Sequence, residues 1–81
     1  TNIEFSIDVD AGVGQKNVRL DIFNILGQRV KTLVNRPLST GTFREVWDAT
    51  NEAGEKVSTG MYLYRLEVGD ATQTKKMIFL K

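Results

Sequence analysis

From Ile3 to Val9 the chain alternates without a break, with Ile3, Phe5, Ile7 and Val9 set against Glu4, Ser6, Asp8 and Asp10. A period of two belongs to an extended backbone with one face buried and one face wet. The pattern recurs. After a loop at Ala11–Asn17 containing Gly12 and Gly14, Val18, Leu20 and Ile22 alternate with Asn17, Arg19 and Asp21. Thr42 to Asp48 places Phe43, Glu45 and Trp47 on one face. Met61 to Val68 is rich in aromatic and β-branched residues, and Thr72 to Leu80 returns after Gly69-Asp70, a two-residue hairpin turn.

One segment admits two readings. Ile22, Ile25, Leu26, Arg29, Val30 and Leu33 have roughly helical spacing. Gly27 in the middle would cost such a helix about 1 kcal/mol relative to alanine, and no N-cap precedes it. The β-branched content favours two strands reversing near Gly27. Arg36–Gly41 reads as a turn-rich connection, Asp48–Glu55 as a polar turn, and Lys56-Val57 as a short edge strand. About seven short antiparallel strands result, and two sheets packed face to face bury one apolar face from each. The fold expected is an all-β sandwich.

The chain of 81 residues is short enough for one domain, residues 1–81. Eleven basic and ten acidic residues give a net charge of +1, so no nucleic-acid partner is expected, since that binding needs a concentrated basic field. No apolar run is long enough for a transmembrane segment. The first residues lack the charged and apolar regions of a signal peptide, which reads as a domain excised from a larger exported protein.

The missing residue types exclude most chemistry. With no histidine, Ser6, Ser39 and Ser58 have no imidazole to activate them; with no cysteine, thiolate catalysis and thiolate metal sites go too. Gly12-Val13-Gly14 lacks the third glycine of a phosphate-binding turn. Asp48, Glu52 and Glu55 fail the EF-hand spacing, because Thr50 stands at the third position and Gly54 arrives one residue late; a calcium site of another type stays open. Trp47, Tyr62 and Tyr64 can serve as core residues or as a sugar-stacking platform, and the core reading is preferred in so small a domain. The chain is expected to be non-enzymatic and to carry no cofactor.

Five segments in order resemble one family: Val18–Val34, with Gly27 at its centre; Gly41–Asp48, ending in Trp47-Asp48; Asn51 with Gly54; Gly60–Leu66, containing Tyr62; and Lys76–Lys81. Together they are similar to the immunoglobulin-like domain of the flagellar hook-capping protein. They are more similar still to the related FlgD-like C-terminal sorting domains of the type IX secretion system. The sequence departs from the pattern at Ala49, where glycine commonly follows Trp-Asp, at Glu45, often apolar, and at the bulkier Phe79.

The resemblance implies an immunoglobulin-like β-sandwich at the C-terminus of an exported protein. Such a domain crosses the periplasm with its N-terminal cargo and is recognised by outer-membrane sorting machinery. The cargo then reaches the cell surface or the extracellular space. Lys76, Met77, Ile78, Phe79, Leu80 and Lys81 are the expected recognition residues, the lysines marking the ends of the readable strand and Met77–Leu80 anchoring it. The alternatives are a structural spacer, a carbohydrate-binding accessory module of an extracellular enzyme, and a hook-capping-type domain.

Overall fold

The structure, a computed structural model, describes residues 1–80. Six strands follow in order: β1 (Asn2–Ile7), β2 (Lys16–Asn24), β3 (Arg29–Leu38), β4 (Gly41–Val46), β5 (Gly60–Val68) and β6 (Ala71–Phe79). They form two antiparallel sheets. One holds β1 and β4; the other has the order β3-β2-β5-β6. The expected class holds, and the strand count is six rather than seven. Lys56 makes only an isolated bridge to Thr50, and Val57 N donates to Ala49 O at 2.9 Å. The segment is tied down by single contacts inside a polar loop, too few to make a ladder.

The alternating residues meet between the sheets. Ile3, Phe5, Ile7 and Val9 are buried against Val18, Leu20 and Ile22 of β2, with Val34 and Leu38 of β3 completing that side. Trp47 is only 1% exposed, and its ring meets Tyr62 edge-on at 5.0 Å and Phe79 at 5.9 Å. Its indole N–H donates to Thr50 O at 2.9 Å, so the largest apolar side chain is buried with its polar atom satisfied.

The ambiguous segment is a hairpin. Gly27 has φ 82°, a left-handed conformation open to glycine at little cost, and Asn24 Oδ1 accepts from the amides of Leu26 and Gln28 at 3.0 Å each. The register between β2 and β3 slips twice, after Leu20 and after Ile22, passing over Leu33 and Val30. Both of these pack on the core. Their spacing of three, which imitated a helix, is the signature of two β-bulges. The strand β3 also runs on through Pro37, where a turn had been expected. It lies at the edge of its sheet, where proline's missing N–H is tolerated.

Candidate functional site

The β5–β6 hairpin builds the candidate site. Val68 pairs with Ala71 around Gly69-Asp70; Gly69 has φ 57° and donates its amide to Asn17 O at 3.0 Å. The strand β6 then runs beside β5 and, among the described residues, pairs with nothing on its other side, which leaves one row of backbone donors and acceptors without a strand partner there. It is an edge strand.

Alternate residues of β6 do different work. Met77 lies opposite the buried Tyr62, and Phe79 packs on Trp47; both are half-buried and hold the strand to the core. Lys76 and Ile78 point the other way, and Leu80 continues their row past the strand. Ile78 is 65% exposed and Leu80 is 73% exposed. Among the described residues neither Lys75 nor Lys76 takes part in an ion pair. The expected recognition segment is therefore two interleaved sets, one packed and one offered. Lys81 lies outside the described residues.

The sequence reading missed the neighbours of that row. Met61 is exposed and pairs with Ile78 across the hairpin. Asn24 pairs with Tyr62, which brings the β2–β3 turn to this end of the sheet, and the turn carries Ile25 and Leu26, both exposed. The signal was present: Phe23, Ile25 and Leu26 make the chain apolar on both faces there, and only one face can be buried. These exposed apolar residues therefore lie at the same end of the four-stranded sheet.

The remaining motif residues are structural. Asp48 Oδ1 accepts from the Thr50 amide and hydroxyl, with Lys31 Nζ 3.7 Å away. The Thr50 hydroxyl chiefly, then Lys31 and the nearby amides, holds the Asp48 carboxyl below its ordinary value of 3.8. Asn51 Oδ1 caps the loop by accepting from the amides of Ala53 and Glu55, and Gly54 completes it. Ala49 adopts φ 63°, the backbone for which the resembled family keeps glycine. Gly41 opens β4 opposite Ile7, Gly60 opens β5 opposite Phe79, and Tyr62 donates its hydroxyl to Ser58 O at 2.7 Å.

Trp47 and Tyr62 are enclosed, so neither can stack on a sugar, and Tyr64 is half-buried. The loop acids have separate partners: Thr50 and Lys31 for Asp48, the Thr32 amide for Glu52, and Asn51 for Glu55. Among the described residues no three acids gather as a cation site.

Against known proteins, a model of the FlgD Ig-like domain family matches residues 1–72. No curated protein and no solved structure matches the chain significantly.

Proposed function

The chain belongs to the FlgD Ig-like domain family, and from that premise we propose that it is a non-catalytic sorting and surface-attachment domain for an exported cargo. Its terminal strand is read by outer-membrane machinery of the type IX kind. The supporting observation is β6 itself: an edge strand whose outward row carries exposed Ile78, with exposed Leu80 following it. The family match stops at residue 72, so this reading of the strand's end rests on geometry.

A partner adding a strand to this edge gains main-chain hydrogen bonds, and pockets for alternate side chains give it selectivity. Phe79 on Trp47 keeps the strand in register while the outward row stays available. The exposed Lys76 hinders two copies from pairing edge to edge before the receptor arrives.

A second reading has the same family support: an Ig-like module of a hook-capping assembly. One experiment separates them. A periplasmic reporter carrying this domain at its C-terminus is produced in hosts with and without the type IX apparatus. Surface display that requires both the apparatus and residues 76–81 supports sorting. Retention in the periplasm of both hosts refutes it.

A further inference from the structure

The two sheets are unequal, two strands against four. The inner face of β6 carries Gln73, opposite Leu66, and Lys75, opposite Tyr64. Both occupy positions that face the sandwich interior, and both are exposed because no strand roofs them. Among the described residues the strand β1 pairs only with β4, although Ile3, Phe5 and Ile7 are buried as in a central strand.

Between the free edge of β1 and the inner face of β6 lies a groove of two hollows, each of about 220 Å³. They share Ser6, Leu66 and Gln73, and no residue of β4 lines either. The first is floored by Leu20, Tyr64 and Leu66 and reaches Lys75. Glu4, at its rim, is paired with Arg44 at 3.2 Å, whereas Lys75 has no ion pair among the described residues.

We propose that this groove is a strand-addition site for an extended segment of another polypeptide, bearing two apolar residues and a carboxylate on alternate positions. The segment hydrogen-bonds to the unpaired edge of β1. Its apolar side chains cover Tyr64 and Leu66, and its carboxylate meets Lys75. The site lies away from the terminal row of Ile78 and Leu80 and does not depend on the sorting reading.

Charge argues against a second copy that pairs through its own β1 or β6. A copy offering β1 brings Ile3, Phe5 and Ile7 inward and leaves Lys75 unmatched; a copy offering β6 sets lysine against lysine. An inward-facing lysine on an edge strand blocks self-pairing, and the same lysine selects a partner that carries the opposite charge.

The probe is the end-blocked peptide Thr-Val-Thr-Val-Ser-Glu-Thr, titrated into the nitrogen-15-labelled chain of 81 residues. Saturable shifts are expected in the amides of β1 from Ile3 to Ile7 and of β6 from Gln73 to Lys75. Lys75→Glu weakens the peptide roughly fivefold, in line with a partly screened ion pair turned repulsive. A peptide with lysine in place of glutamate reverses the preference: weaker on the native chain, tighter on the variant. The native-chain comparison reads the same point if the variant does not fold. Unmoved β1 amides at millimolar peptide would overturn the proposal. So would binding indifferent to both charge reversals, or a sedimentation dimer of the free chain that occupies β1.

Discussion

Phe79→Ala and Ile78→Ala differ by one position on the same strand and should behave in opposite ways. Truncating a fully buried phenylalanine costs about 3–5 kcal/mol. Phe79 is half-buried, which reduces this to about 1.5–2.5 kcal/mol on the same scale. Its edge contact with Trp47, centroids 5.9 Å apart, adds roughly 0.5–1 kcal/mol. The domain as a whole has about 4–12 kcal/mol of stability, so a loss near 2–3 kcal/mol is a large share. At an m-value of about 1 kcal/mol/M the urea midpoint falls by about 2–3 M. Ile78, largely in water, changes stability by about 0.5 kcal/mol or less on truncation. Urea titration followed by far-ultraviolet circular dichroism, with Trp47 fluorescence as a second probe, measures both. Equal losses for the two variants would refute the division of β6 into a packed row and an offered row.

Asp21→Ala should cost about 2–4 kcal/mol, because the carboxylate is fully buried while accepting from Arg19 Nε at 2.8 Å and the Thr32 hydroxyl at 2.6 Å. A midpoint temperature within a few degrees of the native chain's would contradict that. Tyr62→Phe removes the donor to Ser58 O and should lower stability by about 1 kcal/mol, read in the same urea titration; no loss would mean that bond contributes nothing. The carboxyl of Asp48 has a lowered pKa in the folded chain, so its stabilisation is present above the unfolded value and disappears as pH falls through the folded one. Thermal melts from pH 5 to pH 2 should therefore show a shallower acid decline for Asp48→Asn than for the native chain, and parallel curves would sink the assignment.

The fold was legible where burial alone decides the pattern. The row Ile3, Phe5, Ile7, Val9 and the row Val18, Leu20, Ile22 each read directly as one inward face, and both sit in the core. Legibility failed where a local irregularity breaks the period. The two bulges of β3 place Val30 and Leu33 three apart and imitate a helix, and only Gly27, the missing N-cap and the β-branched content separate those patterns in a single chain. Arg36–Gly41 reads as a turn-rich connection, yet β3 continues to Leu38, because the edge position that tolerates Pro37 is a property of the assembled sheet. Lys56-Val57 reads as a short edge strand but finds only an isolated bridge to Thr50 and one bond to Ala49, which the closed fold alone reveals.

For the site, the terminal hairpin and its recognition segment were visible as residues, but the split of Met77 and Phe79 from Lys76, Ile78 and Leu80 needed the position of Trp47. The groove beside β1 was not legible at all, because it depends on the mismatch between a two-stranded and a four-stranded sheet. Ala49 departs from the glycine of the resembled pattern, and its φ of 63° is a left-handed backbone that glycine adopts at less cost.

One paired measurement bears most directly on the central claim: surface display of a cargo fused to this domain in a type IX host, with Ile78→Glu and Leu80→Glu combined, beside the urea midpoint of the same doubly substituted domain alone. The account predicts that display is lost while the midpoint stays within experimental error of the parent. Full display by the double variant would contradict it.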